Sequence, residues 1–329
     1  MQIEDIDNIV IPWPDEGKAW DGLPMARVGL RAVFYLGNCY SKEARQPLMA
    51  AVEEYLAMAG GRIRAYQRAG DRRRMSAGPN QPVDLERLRE RVTNFKTDWG
   101  IEASVAEDIN VASPWSLVTV ADDMGSLLVH FPLSAFPIGS RETFRSLFQR
   151  WCSSLNVQHA YAGLGLILPV GGTSMYGAIK ELGPVATRFV GLDLDYPNTI
   201  ARRCRDGIRT VNWLTAIDDK RLARVGTAQT VLNVAGLEVT SLPFSQGTIF
   251  VAGQAPEIGD REAGRFPKAY AQLGRAVAPL RSDIPETWFN PPAGYQAPAG
   301  FFSKLGGGDA EPEQLPALHY LKTYLGRFD

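Results

Sequence analysis

The carboxylates with the most suggestive spacing lie in GLDLDYPN, where Asp193 and Asp195 sit two residues apart. In an extended segment such a pair points to one side, and two same-face carboxylates can hold Mg²⁺. Asp218-Asp219-Lys220 follows a predicted strand and matches the D-x-K pattern of metal-dependent nucleases, in which lysine assists the attacking water. Asp193, Asp195, Asp218 and Lys220 thus compose one enzymatic alternative, a metal-dependent nuclease or phosphoesterase. The plainer account makes Asp218 a helix N-cap and leaves Asp193 and Asp195 as turn or partner-facing acids.

Other chemistries find less support. His130, His159 and His319 are far apart and none stands in an H-x-x-x-H or H-E-x-x-H arrangement, so ordinary hydrogen-bonded residues are the better account. Gly172-Thr173-Ser174-Met175-Tyr176 approaches the nucleophile elbow G-x-S-x-G, but tyrosine stands where glycine is required. A glycine turn with Thr173 or Ser174 capping the next helix is expected there. Gly163-x-Gly165 lacks the third glycine and the later acid of a dinucleotide fingerprint. Residues 62–74, RIRAYQRAGDRRR, hold six arginines and one acid, which suits phosphates, an acidic partner or plain solvation on a mobile surface loop. No catalytic residue, cofactor or metal ligand is expected from these patterns.

The elements that must position these residues belong to a folded chain of 329 residues, 45% hydrophobic and 22% charged. Its 36 acids against 35 bases exclude a uniformly charged partner surface, yet the first 24 residues hold six acids and one base. Cys39, Cys152 and Cys204 are odd in number and widely spaced, which argues for buried reduced thiols. The N-terminus lacks the basic start and apolar run of a secretory signal, and no stretch reaches 18 apolar residues, so a soluble cytoplasmic protein is expected.

Residues 26–36 alternate as a half-buried strand. Ser41 is placed to cap a helix carrying Leu48, Val52, Tyr55 and Ala59, which Gly60-Gly61 would stop. A helix over 84–95, a hairpin of 116–121 with 126–131, a helix capped by Ser140 and a strand over 160–170 follow. A coarser echo comes next: a strand over 208–217, a short helix capped by Asp218 and containing Leu222 and Val225, a hairpin around Ser245-Gln246-Gly247, and a helix through Phe266, Tyr270, Leu273 and Val277. The fold class expected is α+β, with largely antiparallel sheets and helices packed on one face, and the echo suggests two topologically similar halves. The organisation is an acidic extended lead-in over 1–24, a first half over 25–171, a second over 172–290, and a Gly/Pro-rich loop with a terminal helix over 291–329. That helix would carry Leu315, Leu318, Tyr320, Leu321 and Tyr324.

The segments YAGLGLILPVGGTSMY, FVGLDLDYPN, RDGIRTVNWLTAIDD and QGTIFVAGQAPEIGD resemble type VI secretion immunity proteins of the TsiV type. The resemblance runs from the IPWP lead-in and RVGLRAVFYL to PKAYAQLGRAVAPLR, and its most specific phrases are GLDLDYPN and VNWLTAID. It implies a cytoplasmic, non-enzymatic antitoxin that binds and neutralises a cognate toxin, typically a VRR-type DNA nuclease. No direct nucleic-acid contact, membrane or cofactor is implied. A nuclease site is basic and built for phosphate, so an inhibitor can block it with carboxylates and an aromatic at DNA-like spacing. Asp193, Asp195, Tyr196, Asp218 and Asp219 are the partner-binding residues expected on charge and exposure, with the acidic N-terminal segment as a second surface.

Overall fold

Residues 9–15, 21–94, 98–194 and 196–282 are described by a computed structural model, with 291, 295, 296, 324, 327 and 328 beyond them. Glu4, Asp5, Asp7 and Glu16 of the lead-in, Asp195, His319, Phe95, most of the Gly/Pro-rich loop and the expected terminal helix apart from Tyr324 lie outside the described residues.

The strands are β1 (Val10–Pro12), β2 (Pro24–Leu36), β3 (Ala65–Arg68), β4 (Met75–Ser76), β5 (Trp99–Ser104), β6 (Ser116–Ala121), β7 (Ser126–Phe131), β8 (Val157–Ile167), β9 (Leu214–Asp218), β10 (Val239–Phe244) and β11 (Gly247–Ala252). They form one sheet in the order β10-β11-β9-β8-β2-β7-β6-β5-β3-β4, with β1 beside β2. Every neighbouring pair is antiparallel, so the molecule is α+β with a large antiparallel sheet. At its centre β2 and β8 pair from Arg27 with Ile167 to Leu36 with Val157. Both strands are buried almost throughout, because each face of the sheet is covered there.

One face packs against two amphipathic helices, α1 (Lys42–Ala59) and α3 (Arg141–Ser154), the short α2 (Glu86–Glu90) lying between them in sequence. Ser41 caps α1 by accepting from the Ala44 amide, and Gly60 ends it at φ 59°, a left-handed conformation open to glycine at little cost. Tyr55 of α1 and Phe144 of α3 both meet Phe131, at ring centroids 5.3 and 6.0 Å apart, and Phe148 meets Phe34 at 5.3 Å. The opposite face carries Arg31, Tyr35, His130, His159 and Tyr161, and it lies under residues 172–212. That segment holds α4 (Gly172–Glu181), α5 (Gly183–Arg188) and α6 (Pro197–Ile200). The chain closes with α7 (Asp219–Leu222), α8 (Ala228–Ala235) and α9 (Lys268–Ala276).

Both expected hairpins form, and the three cysteines are free and buried. Among the described residues no helix is long and apolar enough to cross a membrane. Several local expectations need correction. The strand expected over 208–217 begins only at Leu214, because the edge of β8 beside Gly165 is already taken by Asp193, whose amide donates to Leu164 O at 3.1 Å. Ser140 does not cap α3; its hydroxyl donates to Pro137 O. Likewise Ser174 donates to Gly171 O and Ile109 O, and α4 starts without a side-chain cap. The helix expected over 84–95 is one turn, and the short helix after Asp218 stops at Leu222, before Val225. The arginine-rich 62–74 segment is not a loose loop, since it contains β3 and leads directly into β4.

His159 is buried, stacks on Tyr35 at 5.8 Å, and lies 3.0 Å through Nδ1 from Ala216 O. Burial pushes it down to about 3 and also lowers His130. Both folded values fall below the unfolded value of about 6.5, so the unfolded chain takes up protons first on acidification. Their contribution is complete above about pH 6.5 and shrinks below it by about 1.4 kcal/mol per pH unit for each histidine. Guanidinium unfolding at pH 7 and pH 5 should show this loss, and His159→Gln should flatten it; an unchanged slope would contradict the assignment.

Candidate functional site

Asp193 is completely buried, not the exposed acid expected. Its carboxylate lies 3.1 Å from Arg31 Nη1 and 3.4 Å from Arg327 Nη2, and both arginines are buried with it. Tyr324 joins the cluster: its hydroxyl accepts from the Leu194 amide at 2.7 Å, and its ring stacks under the Arg327 guanidinium at 3.9 Å. The cluster can form because β8 carries no side chain at Gly165, where a Cβ would run into Arg31 and stand 3.0 Å from the Asp193 carbonyl oxygen. Gly163 makes similar room for Asn212. The paired glycines of GLGL thus allow close approach of chain to chain. A neutralised, buried carboxylate is held for folding and cannot meet a partner.

Asp218 caps α7, accepting from the Arg221 amide at 2.9 Å, and pairs with the Arg221 guanidinium at 2.6 Å. It is partly covered, while Asp219 and Lys220 are exposed. Asp218→Ala is expected to cost about 1–2 kcal/mol, the usual loss of a cap, as read by a urea titration. A loss near zero would show that Arg221 finds equivalent partners elsewhere.

Asp193 and Asp218, the two carboxylates of the enzymatic alternative that are described, do not converge. Asp193 pairs beside Gly165 of β8, whereas Asp218 follows Ile217, the partner of His159. At about 3.3 Å per residue this separates them by about 20 Å along one strand. Asp195 lies outside the described residues. Among the described residues no group of three or more His, Cys, Asp or Glu is placed to hold a metal ion.

Tyr196 is buried too, at 7% exposure, against the expectation of an exposed aromatic. Its ring meets the half-exposed Tyr176 edge-on at 6.3 Å, and its hydroxyl accepts from Asn198 Nδ2 at 3.3 Å. Burial pushes the hydroxyl above its ordinary range, and the charge of Glu102 adds to that. Glu102 lines a cleft of about 460 Å³ floored by β5. Burial raises its carboxyl, and Arg74 opposes the rise. Of the arginines in 62–74, Arg68 pairs with Asp71 and Asp84, Arg74 donates to Ser104 Oγ at 2.6 Å, and Arg62 lies over the Trp115 ring. Arg72 and Arg73 stay exposed.

The residues that sequence reasoning missed are the partners. Arg31 carried a signal, as a cation in the middle of a strand that is apolar apart from it and Arg27. Nothing local marked Tyr324 or Arg327, because their role depends on contacts 130 and 134 residues away.

A family model described as TsiV, type VI immunity for VRR-NUC, matches residues 48–294. No curated protein matches the chain. Among solved structures, a Pseudomonas aeruginosa T6SS protein, PA0821, is similar at a TM-score of 0.73 and 17% identity, covering 93% of this chain and 85% of that one. At that identity the likeness is one of fold.

Proposed function

The chain belongs to the TsiV family, type VI immunity for VRR-NUC, and on that premise we propose that it binds a cognate VRR-type nuclease effector and neutralises it by covering the active or substrate-binding site. The family match across residues 48–294 carries this reading. Its chemistry suits a stoichiometric inhibitor. Two of the carboxylates that would have served a metal-dependent enzyme are spent on the fold, Asp193 on two arginines and Asp218 on Arg221. A nuclease is basic where it meets phosphate, so exposed carboxylates on the inhibitor speed encounter and oppose DNA, while buried apolar anchors slow release. Of Asp193, Asp218 and Asp219, the last keeps the exposure such a role needs. Because the toxin's substrate is DNA, the inhibitor acts in the cytoplasm, with no cofactor and no direct nucleic-acid contact.

The test is plasmid cleavage by a purified VRR-type effector encoded beside the gene, titrated with this protein. Cleavage should stop at about one equivalent if binding is tight. Undiminished cleavage at tenfold excess would overturn the reading, and Mg²⁺-dependent cleavage by the chain itself would favour the enzymatic alternative.

A further inference from the structure

The turn between α8 and β10 presents apolar surface to solvent. Val231 and Ala235 use the buried stripe of α8, while Val234, on the flank of that stripe in the last turn, is exposed. Gly236 then reverses the chain at φ 82°, and Leu237 projects fully into water, the most exposed large apolar side chain among the described residues. Neither side chain contributes to the core, so neither is accounted for by folding.

Leu237 stands at the rim of a cleft of about 700 Å³, which Glu238, Thr240, Glu257, Ala269 and Arg145 also line. The cleft opens beside β10, an edge strand that pairs on one side with β11. Its charge is unbalanced. Arg145 is occupied by Glu142. No described cation pairs with Glu238 or Glu257. Burial raises the Glu257 carboxyl, and the charge of Glu238 raises it further, so the two acids repel each other across the cleft. A cation seated between them would relieve that repulsion, and an apolar side chain beside it would cover Leu237.

Other charged surfaces fit a basic partner less well. Asp122 and Asp123 are already paired with Arg202 and Arg205, and the neighbouring pocket is lined by five arginines that would repel such a partner. Asp219 is exposed, but it lies at the far end of the β10–β11 hairpin, where its amide donates to Gln246 O, and no large exposed apolar residue is found in that turn.

We infer that the cleft of Leu237, Glu238 and Glu257 is the surface on which this chain seats a basic segment of its nuclease partner, with a lysine or arginine between the two glutamates and an apolar neighbour on Leu237 and Val234. The inference rests on the function proposed above and names the face that carries it. The arrangement is that of an interface centre: an apolar anchor beside a partly desolvated charge pair, reached through complementary charge.

The experiment is a calorimetric titration of the full chain with a catalytically inactive VRR-type effector, at low and at physiological salt. Leu237→Ala should weaken binding about tenfold, and the double variant Glu238→Lys with Glu257→Lys about 100-fold or more, with a shallower salt dependence. Asp219→Lys should stay within about twofold, since Asp219 lies at the other end of the β10–β11 hairpin from the cleft. All four positions are exposed in the free protein, so melting temperatures should match the wild type, and Leu237→Ala alone decides the matter if the charge reversal unfolds. Wild-type binding with folded variants inside about twofold would overturn this surface and leave the function standing. Absence of wild-type binding would overturn the function itself and this inference with it.

Discussion

Asp193→Ala is expected to destabilise the protein by about 3–5 kcal/mol, the range for removing one partner from a buried ion pair. The substitution leaves the Arg31 and Arg327 guanidinium groups facing each other without the carboxylate that neutralises them, in a site closed to water. It also removes a side chain that ties the 193–194 backbone to the C-terminal Tyr324, whose hydroxyl lies 3.3 Å from Asp193 Oδ1. Against a typical domain stability of about 5–15 kcal/mol this is a large fraction. Denaturant unfolding monitored by far-UV circular dichroism reads it directly. Asp219→Asn is the control, with a change inside about 0.5 kcal/mol expected for an exposed acid. A near-normal unfolding midpoint for Asp193→Ala would show that the two arginines relax to other partners, and the charge cluster would lose its structural role.

Trp213→Ala should cost a comparable amount, about 3–5 kcal/mol, through the cavity left by a large aromatic. Trp213 lies at the entry to β9 and is buried, stacked on Phe144 of α3 at 6.2 Å with 9° between the ring planes. Its indole N–H donates to Gly253 O at 3.3 Å, and its carbonyl accepts from the Ala252 amide at 2.8 Å. One residue thus joins the helical face to the β11 end of the sheet. Trp213→Phe keeps most of the ring and should lose less than half as much, which separates packing from the hydrogen bond. If Trp213→Ala unfolded within about 1 kcal/mol of the wild type, the cavity would have to be filled by collapse of the neighbouring side chains.

Both residues belong to the phrases that carry the family resemblance. In GLDLDYPN, Gly191 admits no Cβ because the Ile258 and Glu257 carbonyl groups press against it, Asp193 anchors the buried cluster, and Asn198 meets Ser126 at 2.6 Å. In VNWLTAID, Asn212 Oδ1 accepts from the Trp213 amide, and Thr215 Oγ1 accepts from that of Asn212. The phrases that identify the family are therefore the ones that build its central corner. The surface proposed to meet the toxin falls largely outside them, in Val234 to Glu238 and the adjoining Glu257. That division has a physical basis, since a shared fold demands shared internal contacts, whereas an interface has only to fit its own toxin.

What was legible in the sequence was whatever neighbouring residues decide among themselves. Alternation placed β2 and both hairpins, and 3.6-residue spacing placed α1, α3 and α9. Ser41, Asp218 and Gly60 acted as caps because capping is a contact of three or four residues. Local reasoning failed where a distant segment competed. Residues 208–213 have strand-like composition, but the edge of β8 they would have needed is held by Asp193.

Taken alone, the sequence determined the α+β class, most of the regular elements and, through its resemblance, the family. Only the tertiary structure decided the fate of each acid. Asp193, Asp218 and Asp219 look equivalent as letters, yet one is buried against Arg31 across 162 positions, one closes a helix, and one stands in water. The reason is that helix and strand patterns depend on residues two to four apart, whereas desolvation and charge pairing depend on whatever lies within a few ångströms after the chain has folded.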